Sequence, residues 1–125
     1  MNVLTFEGRV FKGEGIAAGL GCPTANIAVQ HGGIIPGLGV YTGEAEYNGI
    51  VHPAVICAND GRTGALLKLE VHLLNQTLPS LEGRHLRVRL FEKLRSLVPW
   101  ESEEQMRECI RKDLEAARNW FKTRE

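Results

Sequence analysis

A hydroxyl and an amide oxygen stand two residues apart in Pro23-Thr24-Ala25-Asn26, directly after a stretch with four glycines in nine positions, Gly13 to Gly21. A backbone this bare bends tightly and can offer its N–H groups to phosphate oxygens. That makes Gly13, Gly15, Gly19 and Gly21 candidate nucleotide-binding positions, although a plain turn uses glycine in the same way. Thr24 and Asn26 carry hard oxygen donors of the kind Mg²⁺ prefers, and this ion needs only one or two protein ligands when substrate phosphates and waters complete its shell. The alternative use of the pair is to begin a strand and satisfy local backbone groups. The glycine stretch lacks a Walker A lysine followed by serine or threonine, and no βαβ unit surrounds it, so neither familiar nucleotide-binding fold applies. A third candidate is Glu70, a carboxylate that could accept a proton from an attacking hydroxyl. Its plainer role is a solvated strand residue paired with Lys68 or an arginine.

The elements that must position these groups are mostly strands. Period-two alternation marks residues 6–11, 39–47, 50–57, 65–74 and 85–94, with Gly, Pro, Asn or Asp between them. Asn48-Gly49 is a strong hairpin signal, because a type I′ turn needs two positive φ values. Alternation places Leu67, Leu69, Val71 and Leu73 on one face and Lys68, Glu70 and His72 on the other, so the carboxylate points away from the core. In the next strand Leu86, Val88 and Leu90 face in, while Arg87 and Arg89 face out. Short strands without intervening helices favour a barrel or sandwich.

After Pro99 the pattern changes. Ser102-Glu103-Glu104-Gln105 reads as a capping box in which the serine caps the helix and the glutamine reaches back. Met106, Cys109, Ile110, Leu114, Ala117, Trp120 and Phe121 follow at helical spacing and would cover an open side of the β-structure. Glu103 with Arg107, Glu108 with Lys112 and Arg111 with Glu115 are i,i+4 pairs on a solvated face.

A chain of 125 residues fits one domain, here 1–125, with one core. Fifteen basic and fifteen acidic residues cancel, which removes the electrostatic footprint of a nucleic-acid binder. No segment has the length of a membrane span or the layout of a signal peptide. The three cysteines, Cys22, Cys57 and Cys109, match neither a disulfide framework nor a zinc site, and are expected as small core residues in a reducing cytoplasm.

Taken in order, these segments resemble the riboflavin kinase family. Its Leu-Gly-(apolar)-Pro-Thr-Ala-Asn motif is matched by Leu20 to Asn26, and its Pro-x-x-Gly-Val-Tyr element by Pro36 to Tyr41. Glu-x-His is matched by Glu70-Val71-His72, and the closing motifs by Leu94-Arg95, Trp100, Glu101 and Ser102 and by Asp113, Ala117 and Arg118. The resemblance implies a mainly β fold, a six-stranded Greek-key barrel with one C-terminal α-helix. It also implies transfer of the γ-phosphoryl of ATP to the 5′-hydroxyl of riboflavin, giving FMN and ADP. Thr24 and Asn26 would hold Mg²⁺ and orient phosphate and ribityl oxygens, which makes both nucleotide-binding positions and Asn26 a substrate-binding one, and Glu70 would contact the substrate and take the hydroxyl proton. Arg95 would meet a phosphate or pair with an acidic neighbour. Trp100 would close over the flavin or anchor the helix. His72 faces the same way as Glu70 and would either support it through a hydrogen bond or, as a lone strand histidine more often does, serve the structure alone. Neither nucleic acid nor membrane is expected as a partner, and the chain is expected to act as a monomer.

The chain departs from the family in the loops. Ile16, Ala17 and Ala18 stand where a basic residue is common before Leu-Gly. Residues 58–64 replace Ile-Gly-x-x-Pro-Thr with a shorter stretch holding Arg62. Leu81-Glu82-Gly83 replaces Leu-Tyr-Gly, and Asn75-Gln76 replaces Asp-Phe. These changes motivate an alternative, a non-catalytic flavin- or nucleotide-binding module on the same fold. Bacterial members usually carry an adenylyltransferase domain ahead of the kinase. With 125 residues and no His-x-Gly-His type motif, FAD synthesis is not expected.

Overall fold

Six antiparallel strands and one helix make up the regular structure of the described residues, which are 3–11, 23–30, 37–59, 66–75 and 81–124 of the computed structural model. The strands are β1 (Leu4–Arg9), β2 (Ala25–Gln30), β3 (Gly39–Tyr47), β4 (Ile50–Asn59), β5 (Leu66–Leu73) and β6 (His85–Arg95), and the helix is α1 (Glu103–Lys122). Their order in the sheet is β1-β6-β3-β4-β5-β2. β3, β4 and β5 are successive neighbours, whereas β6 lies between β1 and β3, so the connections into β3 and β6 skip strands in the Greek-key manner. The sheet curls into a nearly closed barrel. At its seam the Phe11 N–H donates to the Asn26 carbonyl at 2.9 Å.

The expected Greek-key barrel with a C-terminal helix is therefore the observed fold, with two differences in the strands. The first strand begins at Leu4 and ends at Arg9. Beyond it Val10 bonds to Arg84 and Phe11 crosses to β2, so the chain leaves one partner for another and regular pairing stops. β2 was not marked by alternation: Ile27 is fully buried, but on the other face Ala28 stands between Asn26 and Gln30 and breaks the polar half of the pattern.

Curvature has a local cause. A Cβ on Gly43 would overlap the Arg89 carbonyl and sit 2.5 Å from Ile56 Cδ1, and the β3–β6 register slips between Thr42 and Gly43. A bulge beside a bare backbone lets β3 bend close against β6. The hairpin between β3 and β4 turns on Asn48 and Gly49, with φ of 52° and 76°.

Leu67, Leu69 and Val71 from β5 and Leu86, Val88 and Leu90 from β6 are each at most 2 % exposed and fill the barrel with Ile27 and Ile56. Truncating one such leucine costs about 2–5 kcal/mol. Outside the barrel, α1 covers β3 and β4 through a smaller cluster of Val40, Val55 and Ala117, with Cys57, Leu94 and Leu114 against it. Ser102 caps α1 by accepting from Gln105 N at 3.1 Å. The reciprocal half of the box is replaced, because Gln105 Nε2 turns along the helix to Cys109 Sγ at 3.4 Å. Glu103 pairs with Arg107 and Arg111 with Glu115, while Glu108 takes Arg111 at 2.6 Å. The C-terminal end of α1 is held by Trp120 stacked on Phe91 of β6, with ring centroids 5.5 Å apart. Among the described residues no helix is long and apolar enough to cross a membrane.

Candidate active site

Antiparallel pairing sets Asn26 of β2 directly opposite Glu70 of β5. The same register continues across the sheet from Glu70 to Cys57 on β4, from Cys57 to Val40 on β3, and from Val40 to Arg95 on β6. Directly paired residues share a face. Five strands thus present one row on the outer side of the barrel, with the two candidate chemical groups adjacent at one end and Arg95 at the other. Glu70 and Arg95 are three strand spacings apart, each about 4.8 Å.

Asn26 is 6 % exposed. Its Oδ1 is buried and has no hydrogen-bond partner among the described residues. A carbonyl oxygen left this way costs about 1–3 kcal/mol, a penalty usually retained for a reason. An unpaired hard oxygen is also the donor type that Mg²⁺ takes. Thr24, half-buried, lies two residues earlier at the entry to β2. These residues fit a magnesium ion completed by phosphate and water. Among the described residues no group of three or more His, Cys, Asp and Glu forms a separate metal cluster.

Glu70 is held on both sides. Asn59 Nδ2 donates to its Oε2 at 3.2 Å, and Lys68 Nζ lies 3.8 Å from its Oε1. The expected partner Lys68 is thus present but distant, and the shorter contact comes from an amide that sequence reasoning did not single out. Asn59 sits opposite Lys68 in the β4–β5 register and reaches Glu70 diagonally. Its sequence signal was only a polar residue at a strand end, two positions after Cys57. Cys57, directly across from Glu70, has its thiol pushed up to about 11 by burial and, secondarily, by the negative charge of Glu70. It stays a neutral neighbour.

His72 takes the structural one of its two expected roles. Its Nδ1 lies 2.8 Å from the Pro23 carbonyl. Because a carbonyl oxygen only accepts, this nitrogen carries the proton. The histidine therefore ties the start of the Pro23-Thr24-Ala25-Asn26 segment to β5, and the amide support of Glu70 falls to Asn59.

Arg95 takes the acidic neighbour of its two expected alternatives. Its Nε and Nη2 donate to the two carboxylate oxygens of Asp113 at 2.7 Å each, and Nη1 donates to the Ser96 carbonyl at 3.1 Å. The hydrogen bonds to Asp113 raise the guanidinium pKa further above its usual value. This bidentate pair joins β6 to α1, and Asp113 is one of only two buried positions on the helix, the other being Ala117. Trp100, between β6 and α1, is 54 % exposed. Gly13, Gly15, Gly19 and Gly21, and also Cys22 and Arg62, lie outside the described residues.

A second polar region spans β1, β6 and β3. Arg89 donates to Glu44 at 3.1 Å and to Glu46 at 3.3 Å, while Arg87 meets Glu7 at 3.1 Å and Glu46 at 3.7 Å. Hydrogen bonds from His85 and then Arg87 hold the Glu7 carboxyl below its ordinary value. A shallow cavity of about 250 Å³ opens among Glu7, Glu46, Tyr47, Arg84, His85 and Arg87.

Comparison with known proteins identifies the family. The family model for riboflavin kinase, Flavokinase, matches residues 2–121. The bifunctional riboflavin kinase/FMN adenylyltransferase of Escherichia coli (strain K12) is 34% identical over 119 residues, covering 92% of this chain and 37% of that protein. The protein of the same description from Pseudomonas fluorescens is 35% identical over 118 residues, covering 89% of this chain and 36% of its own length. The chain therefore spans little more than a third of the relatives it matches. A crystal structure described as a macrolide-efflux protein from Streptococcus pneumoniae superposes with a TM-score of 0.81 at 23% identity, over 94% of this chain and 39% of that one, which speaks for the fold alone. With a family model covering nearly its whole length, the chain belongs to the riboflavin kinase family.

Proposed function

We propose that this chain phosphorylates riboflavin at the ribityl 5′-hydroxyl to give FMN, with ATP as the phosphoryl donor and Mg²⁺ as the metal, acting as a cytoplasmic monomer that needs neither nucleic acid nor membrane. The observation that carries the reading is the Asn26–Glu70 pair, an unpaired buried amide oxygen directly opposite a carboxylate on the adjacent strand. Phosphoryl transfer asks little covalent chemistry of a protein; it needs positioning, neutralisation of charge and a group to orient the nucleophile.

In this reading Thr24 and Asn26 hold the metal through their side-chain oxygens. Magnesium, when bound, supplies charge neutralisation on the phosphates. Glu70 accepts the proton of the ribityl hydroxyl as its oxygen attacks the γ-phosphorus and the bond to ADP breaks. His72 keeps Thr24 and Asn26 at the right height beside Glu70 by fixing Pro23. Arg95 acts through α1: by locking the helix to the barrel wall, it fixes the outer end of the same row.

The direct test is to incubate purified protein with riboflavin, ATP and Mg²⁺ and separate the flavins. FMN with stoichiometric ADP is expected. Glu70→Gln should lower turnover about 10²–10⁴-fold with the circular dichroism spectrum unchanged. Wild-type turnover in that variant would remove Glu70 from the mechanism. Riboflavin fluorescence quenching by the native protein without FMN formation would establish the non-catalytic binding module instead.

A further inference from the structure

The row that pairs Asn26 with Glu70 explains where the carboxylate is, but not what aims it. Glu70 has two rotatable bonds beyond its Cβ, and its side chain keeps 29% of its surface accessible. A carboxylate in that setting samples several rotamers unless something selects one. The shortest contact to it within the described residues comes from β4, where the Asn59 amide donates to Oε2 at 3.2 Å. We propose that Asn59 is a positioning residue for the phosphoryl transfer: its amide pins Oε2 of Glu70 and thereby leaves Oε1 as the oxygen presented to the substrate hydroxyl. This inference rests on the proton-accepting role of Glu70 given above.

The arrangement around the amide supports the assignment. Asn59 reaches Glu70 diagonally, from the position opposite Lys68, while the residue directly across from Glu70 is Cys57. The thiol cannot fix a carboxylate strongly, since S–H is a weak donor. The amide also lies 3.9 Å from Cys57 Sγ, so it bridges the thiol and the carboxylate, while the other diagonal neighbour of Glu70 on β4, Val55, has no donor to offer. Lys68, at 3.8 Å from Oε1, is beyond hydrogen-bond range and acts as a diffuse charge. One directed bond on one oxygen is what orients a carboxylate without consuming both of its acceptor sites. In the chemical step the ribityl O–H bond breaks toward Oε1, the new O–P bond forms, the old bond to ADP breaks, and the proton leaves Glu70 to water after product departs. Asn59 makes and breaks no covalent bond in this sequence.

A positioning role separates kcat from KM. Asn59→Ala should lower kcat about 10- to 100-fold, leaving the KM for riboflavin and for ATP within about twofold, because misplacing a reacting group acts on the transition state. Asn59→Asp keeps the shape and removes the donor, and should lose at least as much as the alanine variant. Asn59→Gln, which retains an amide donor, should recover a good part of the lost kcat. Combining Asn59→Ala with Glu70→Gln should cost no more than Glu70→Gln alone, since the amide then has nothing to aim.

Several results would overturn the proposal. One is a wild-type kcat in Asn59→Asp, and another is full additivity of the two substitutions. A rise in KM with kcat preserved would do so as well. If Asn59→Ala fails to fold, the contrast between the aspartate and glutamine variants decides, and equal activity in those two overturns the proposal. Failure of the underlying reading looks different: there Glu70→Gln itself retains turnover. Failure of this inference alone leaves Glu70→Gln inactive while every Asn59 variant works.

Discussion

The corner of Asn26, Asn59 and Glu70 and the charged ladder across β1, β6 and β3 are built from similar polar residues on the outer surface of one barrel, yet they use them in opposite ways. In the ladder Glu7, Arg87, Glu46, Arg89 and Glu44 answer one another, each charge meeting an opposite one across a strand. In the corner the Asn26 carbonyl oxygen is buried with no partner among the described residues, and Glu70 is fixed through one oxygen by an amide. Capacity that is internally satisfied stabilises a surface a little; capacity left open at a cost marks a place where something else is meant to bind. The shallow cavity beside the ladder is walled by members of it, Glu7, Glu46 and Arg87, that already meet opposite charges.

Substitutions can break this contrast. The largest effect after Glu70→Gln is expected at Asn26. Asn26→Ala should reduce FMN formation roughly 10²–10³-fold, the size seen when one group that stabilises transition-state charge is removed. The melting temperature of the ligand-free protein should hardly move, because deleting an unpaired buried polar group relieves about as much as the lost packing costs. A large fall in melting temperature with turnover preserved would make Asn26 a purely structural seam residue.

Next comes Asp113→Ala, which leaves Arg95 without its bidentate partner at a side chain only 27% accessible. Urea unfolding should show a loss of about 3 kcal/mol, and a loss too small to measure would mean that α1 is held by Val40, Val55 and Ala117 alone. The smallest effect belongs to the ladder. The Glu7 carboxyl is lowered in the folded state, so its contribution is complete above its ordinary value of 4.5 and is lost as pH falls through the folded value below that. Melting curves of Glu7→Gln and the native protein should differ slightly at pH 7 and converge as the pH drops below 4.5, with turnover alike in both. Divergence toward acid would reverse the assigned sign.

Much of this contrast was legible in the sequence, for identifiable reasons. Alternation in residues 65–74 placed Glu70 outward because its neighbours are large aliphatics with no ambiguity of face. The hairpin at Asn48-Gly49 and the start of α1 at Ser102 followed from local stereochemistry, which needs no tertiary information. Asn59 was missed because its role depends on the β4–β5 register, a property of two strands at once. β2 was missed because Ala28 interrupts its polar face, and Asn26 on that face turns out to be buried. His72 was read on the correct side of its strand, but its partner is a backbone carbonyl, and no side-chain pattern announces that. The position that best resists a rule of thumb in β2 is also the one whose oxygen is left open.

Cys57 carries a practical consequence. With its thiol held near a pKa of about 11 by burial and by Glu70, only on the order of one molecule in ten thousand presents a thiolate at pH 7. Alkylating reagents and mild oxidants attack the thiolate. A sulfur atom can therefore stand directly across from the proposed proton acceptor without making catalysis depend on the redox state of the surroundings, and thiol-directed inhibitors are expected to leave this corner untouched.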